Sequence, residues 1–82
     1  RVAPAGEVDA AAAVVAEAVL AQSAAVTPLV KRALRAGEDE DGFARALAEC
    51  ERLYFGDLVR TEDMEEGVAA FLERRDARWR HR

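Results

Sequence analysis

The chain has 82 residues, a net charge of −4 and a hydrophobic fraction of 51% in which alanine predominates over large apolar side chains. That length allows one small domain with a thin core and excludes a second independent one. A single cysteine, Cys50, excludes an intramolecular disulfide, so a reducing compartment, the cytoplasm, is the simpler inference.

Charge is unevenly divided. Arg74, Arg75, Arg78, Arg80 and Arg82 against Asp76 leave the last nine residues at +4 and the remainder at −8, a short basic tail on an acidic body. A net-negative body repels the phosphate backbone that supplies most non-specific affinity, which argues against a nucleic-acid partner. The chain begins with Arg1 rather than methionine, which suggests a fragment or a processed product. The Ala/Val run from Ala10 to Leu20 is interrupted by Glu17 and preceded by Glu7 and Asp9, so it reads as neither a signal peptide nor a membrane span.

In chain order, Val2 to Gly6 carries Pro4 and Gly6 and reads as an extended entry. A first helix follows over about residues 9–22, with Asp9 as its cap and alanines supplying the propensity. Val8, Ala11, Ala12, Val15, Ala18 and Val19 lie on one side, yet Ala13, Ala16 and Leu20 make the other nearly as apolar, so this helix needs to be covered. A second helix spans about 27–36, with Thr27-Pro28 as cap and first helical residue and Gly37 as the stop. The acidic run from Glu38 to Asp41 before Gly42 invites comparison with a calcium-binding loop. The comparison fails: with Gly42 at the glycine position, the first and last ligand positions fall on Gly37 and Ala48. Solvated charges beside the next helix's N-terminus explain the run.

The third helix, about 42–60, carries Phe43, Ala46, Leu47, Cys50, Leu53, Tyr54 and Leu58 on one broad face. Ala44, Ala48, Phe55 and Val59 form a second stripe well to the side. A chain this short cannot easily bury both, so the surplus stripe is a candidate contact surface. The fourth helix, about 62–76, has Thr61 as N-cap and Glu62, Asp63 and Glu65 at the positive end of its dipole. At roughly 100° per residue, Met64, Val68, Phe71, Leu72 and Arg75 share a face, with Trp79 continuing it if the helix runs that far. The pattern as a whole predicts an all-α fold of about four helices.

Catalytic signatures are missing. There is no P-loop, dinucleotide glycine motif or zinc-ligand set. His81, the only histidine, reads as an exposed residue near a terminus, and Ser23 has no base at identifiable spacing. The pairs Glu62/Asp63 and Glu65/Glu66 sit where helix capping already explains them, and no environment separates two pKa values for acid–base work.

One resemblance spans nearly the whole chain. Thr61-Glu62-Asp63, Glu66-Gly67, Ala70-Phe71-Leu72-Glu73-Arg74-Arg75 and Trp79-Arg80, together with Lys31-Arg32-Ala33-Leu34 and Arg1-Val2-Ala3-Pro4, resemble the C-terminal third of the enoyl-CoA hydratase/isomerase (crotonase) superfamily. The family pattern would start the second helix at Ser23-Ala24 and place Pro28 in its second turn. The resemblance implies a parent lyase acting on acyl-CoA thioesters, most simply by hydrating a 2-enoyl-CoA. Its oxyanion hole and acidic residues belong to an N-terminal core that this chain lacks. It further implies that these helices pack on that core, help build a homotrimer or dimer of trimers, and complete the acyl-CoA pocket. No cofactor is implied beyond coenzyme A as part of the substrate. By the same resemblance, Phe55 and Phe71 match aromatic positions lining the pantetheine/adenine end of the pocket, and Arg74 matches a basic position that meets CoA phosphates. A planar guanidinium suits phosphate oxygens. Asp76 and Ala77 depart from the basic residue and proline common there, and Asp76 lowers the local positive potential. The competing expectation is a free-standing helical interaction module that binds a partner protein through the Phe55/Val59 stripe.

Overall fold

The computed structural model describes residues 2–38 and 42–82. The positions 39–41 of the acidic run lie outside the described residues, and so does Arg1 at the N-terminal end of the resemblance. Among the described residues there are four α-helices and no strand, so the fold is all-α: α1 (Val8–Leu20), α2 (Thr27–Ala36), α3 (Phe43–Arg52) and α4 (Glu62–Glu73).

α1 begins after a 3₁₀ turn over Ala5–Glu7, so the entry is extended only through Pro4. Glu7 occupies the cap position and makes no side-chain cap bond; Asp9 lies in the first turn, where it complements the dipole instead of capping. α1 ends two residues earlier than the expected Gln22, because the chain turns at Ser23. The Ser23 hydroxyl accepts from the N–H groups of Ala25 and Val26, both at 3.2 Å, and thereby caps a turn that runs directly into α2. The Thr27 N–H then bonds the Ser23 carbonyl at 3.0 Å. Thr27 is the first residue of α2 rather than its cap, and Pro28 sits where its missing N–H costs nothing. The helix therefore starts at Thr27 with Pro28 in its first turn, and not at Ser23-Ala24 with Pro28 in its second as the family pattern would have it; Ser23 caps the turn that precedes it.

The third element departs most from expectation. Gly42 caps α3 at φ 94°, a backbone region open chiefly to glycine. α3 stops at Arg52 and passes into a π-helical turn over Leu53–Asp57 and a 3₁₀ turn over Leu58–Arg60, in place of a single helix to residue 60. Leu53, on the broad face, is buried, Phe55, on the side stripe, is exposed, and the Tyr54 and Phe55 rings meet edge to face with centroids 5.0 Å apart. This turn, α3 and α2 form the closest-packed part of the molecule. Arg32 of α2 and Arg52 of α3 share Glu49 and Asp57 across that junction, an exposed ion network that orients more than it stabilises.

α4 begins as its sequence dictates: the Thr61 hydroxyl accepts from the Met64 N–H at 3.2 Å. It ends at Glu73 rather than 76. Arg74 adopts the left-handed conformation, φ 54° and ψ 46°; its N–H bonds the Phe71 carbonyl and the Arg75 N–H bonds the Ala70 carbonyl. That pairing is a Schellman stop, here made by arginine where glycine is usual. Arg75 and Trp79 therefore leave the helix face on which the periodicity put them.

The molecule is flat. Its extents are 44 × 39 × 19 Å, so along its short axis it is about two helix diameters thick. The radius of gyration is 15.9 Å, against about 12 Å for a compact domain of this length. The accessible surface is 6747 Å², whereas size scaling gives about 4,800 Å² for a compact monomer. Leu53 and Ala70 are the buried hydrophobic residues among those described, and Phe71, Phe43, Leu20 and Leu72 are among the most exposed large ones.

Candidate functional site

The groove between α1, α2 and α4 is the largest apolar concavity described, with a volume of about 670 Å³. Valines of α1 (Val14, Val15, Val19) and α2 (Val30) line one side, Met64 and Val68 of α4 the other, and Leu58 and Trp79 complete it. Its size falls in the range of sites that take small molecules or an inserted side-chain cluster. A second concavity of about 530 Å³, between α2 and α3, is lined by Arg32, Arg35, Arg45 and Arg52 with Glu49. Arg32 and Arg52 are engaged there with the Glu49 carboxylate.

At one end of the apolar groove the last residues of the chain fold back over α4. Asp63, in the first turn of α4, is buried, and three donors converge on its carboxylate: the Ser23 hydroxyl at 2.5 Å, the Arg80 N–H at 2.7 Å and the His81 N–H at 2.8 Å. The Asp63 N–H in turn bonds the Arg82 carbonyl at 3.0 Å. Burial pushes the Asp63 carboxyl up, but the Ser23 hydroxyl, the two tail N–H groups and the nearby imidazole outweigh it, and its pKa lies below the ordinary carboxylate value. Asp63 is thus more than a dipole partner for α4. His81 is exposed, as expected for a terminal residue, yet its Nδ1 accepts from the Ala24 N–H at 3.0 Å.

Ser23, Asp63 and His81 converge without forming a nucleophilic triad. The serine proton is directed to the carboxylate, and the hydroxyl oxygen already accepts two backbone N–H groups. The residue is only 3% exposed. An attacking serine needs a base to take its proton and a free path to substrate; here the imidazole nitrogen Nδ1 is occupied by a backbone donor instead. The cluster is a clamp on the tail.

The rest of the tail is held in the same manner. The Trp79 indole N–H donates to the Ala21 carbonyl at 2.9 Å, and its ring lies over Gly67, where an added Cβ would come within 3.4 Å of Cη2. Glu66 accepts two bonds from the Arg75 guanidinium, at 2.6 and 3.1 Å, and one from the Arg78 N–H at 2.7 Å. Arg75 foremost, then the Arg78 N–H, hold the Glu66 carboxyl at about 2, well below its usual 4.5. Arg80 and Arg82 both reach Glu62. The basic tail is therefore engaged by the acidic first half of α4.

Phe55, Phe71 and Arg74, the residues singled out from the sequence, do not line the apolar groove. Phe55 is 70% exposed in the π turn and Phe71 is 82% exposed near the end of α4. Arg74 holds the left-handed stop. Its side chain is exposed and makes no hydrogen bond or ion pair among the described residues. The clamp was invisible to sequence reasoning because Ser23 and Asp63 lie 40 positions apart. Among the described residues no group of three or more His, Cys, Asp or Glu side chains is placed to hold a metal ion, and no helix is long and apolar enough to cross a membrane.

No family model, curated protein or solved structure matches this chain.

Proposed function

We propose that this chain is the C-terminal helical region of an enoyl-CoA hydratase/isomerase superfamily protein, and that its open apolar faces pack on that enzyme's catalytic core and on neighbouring subunits. The observation that carries the proposal is the excess of exposed apolar surface. An accessible area roughly 1,900 Å² above that of a compact monomer is what one partner contributes to an obligate interface. α1, apolar nearly all round and exposed along most of its length, has the character of a helix covered by other protein.

On this proposal the parent is a lyase that hydrates 2-enoyl-CoA thioesters in the cytoplasm as a homotrimer or dimer of trimers. The missing core supplies the oxyanion hole and the acidic residues, and these helices close the substrate's CoA end. Phe55 and Phe71 offer aromatic faces to pantetheine or adenine, and Arg74 offers a guanidinium to phosphate. Their exposure supports those roles, since a side chain already committed to packing is not available to a ligand. Coenzyme A enters only as part of the substrate.

Native mass spectrometry of the protein from its own cells tests the assignment. The expected result is this sequence within a longer polypeptide, or bound to a core chain, in threefold stoichiometry. Titration with CoA then tests the site: Arg74→Glu raises the Kd for CoA and leaves that for a phosphate-free pantetheine analogue unchanged. A lone species of 8.9 kDa that ignores CoA would refute the proposal and leave the helical interaction module as the reading.

A further inference from the structure

The last residues of the chain are held as a unit. Residues 76–82 have no regular structure of their own. The hydrogen bonds of residues 78–82 run to the first half of α4 and to the junction between α1 and α2. Charge complements the geometry: Arg80 and Arg82 meet Glu62, and the Arg78 N–H meets Glu66. The two non-glycine residues with positive φ among those described are Arg74, at 54°, just before this segment, and His81, at 62°, near its end. Arg74 is held by the end of its own helix, whereas His81 adopts its unfavourable conformation between docking contacts, the Arg80 and His81 N–H groups on Asp63 and the Ala24 N–H on the imidazole, so the strain at His81 and those contacts stand or fall together. The docked segment places Trp79 against Gly67 as one wall of the valine-lined groove.

We propose that Asp76–Arg82 is a releasable strap whose docking into the Ser23–Asp63 socket completes one wall of the groove, so that strap release and groove opening are a single event. The inference rests on this geometry alone and is independent of the acyl-CoA assignment. A segment held by separate local contacts would lose them one by one. A strap loses them together, and residues far from a substitution report it.

The full chain carries one tryptophan, so its fluorescence reads Trp79 directly. Asp63→Asn removes the socket's charge without touching Trp79. The expected result is a red shift of Trp79 emission and at least a threefold rise in acrylamide quenching, with helix content by circular dichroism preserved. Arg80→Pro deletes one strap donor outside every helix and is expected to act in the same way, so the test survives if Asp63→Asn fails to fold. Gly67→Leu runs the test in reverse: it fills the seat of the indole ring while leaving Asp63 intact. Hydrogen exchange at the Arg80 and His81 amides is then expected to accelerate at least tenfold. Unchanged Trp79 fluorescence in Arg80→Pro, or protected Arg80 and His81 amides once Gly67→Leu has displaced Trp79, would overturn the proposal.

Discussion

Replacing Gly67 by alanine is expected to stabilise this protein, although the position lies directly beneath an aromatic ring. Glycine in a helix interior costs about 0.8–1 kcal/mol relative to alanine because it surrenders more backbone entropy on folding. Gly67 is a middle residue of α4, so that difference applies there. The new Cβ would lie 3.4 Å from Cη2 and 3.5 Å from Cζ3 of Trp79, which is ordinary contact. Each such carbon pair adds only about 0.1–0.2 kcal/mol. The sum is a gain of about 1 kcal/mol, or roughly 4–8 °C in Tm for a domain of this size. Thermal unfolding followed in parallel by the 222 nm ellipticity and by Trp79 emission checks it, and both transitions should move upward together. A fall in Tm, or a red-shifted emission at low temperature, would show that the ring lies closer to α4 than its contacts indicate and that the glycine is there for steric reasons.

Other consequences follow from the same geometry. Leu53→Ala empties one of the two buried hydrophobic positions among the described residues and should cost about 2–5 kcal/mol by urea denaturation, whereas Leu53→Met should cost less than about 1.5 kcal/mol. Glu66, held at about 2 when folded against 4.5 otherwise, contributes stability that is fully present above about pH 4.5 and is lost as the pH falls toward 2. The downward shifts of Asp63 and Glu49 act in the same direction. An acid titration of Trp79 emission should therefore show its loss in that window, and Glu66→Gln should shrink the pH-dependent part. Arg74→Gly relieves a left-handed arginine and should raise stability by about 1 kcal/mol in a thermal melt while weakening CoA binding. Phe55→Asp should weaken assembly of the parent protein or its CoA binding more than it changes helix content. Unchanged assembly and affinity would remove Phe55 from the proposed site.

Local chemistry was legible from the residues wherever neighbours along the chain determine it. Thr61 caps α4 as a threonine followed by acidic residues should, α2 becomes regular at Thr27-Pro28, and the all-α class follows from apolar spacing and alanine content. Each depends on groups within a turn of one another, so the sequence alone carries the information. The failures share a cause. α4 ends at Glu73 because Arg75 reaches back to Glu66 and the chain reverses at Arg74, although the residues beyond still fit a helical stripe. The π turn over Leu53–Asp57, in place of a regular helix to residue 60, is a change of phase that periodicity, which assumes a constant angle per residue, cannot register.

The sequence by itself determined where helices start, how apolar their faces are, and that a chain so small and alanine-rich leaves large apolar surface exposed. Only the tertiary structure decided what the acidic and basic segments do to each other. Asp63 reads as a helix-dipole residue until Ser23, 40 positions earlier, and the N–H groups of Arg80 and His81, 17 and 18 positions later, converge on it. A buried carboxylate takes whatever donors the fold brings within about 3 Å, and loop closure over such separations depends on the whole chain.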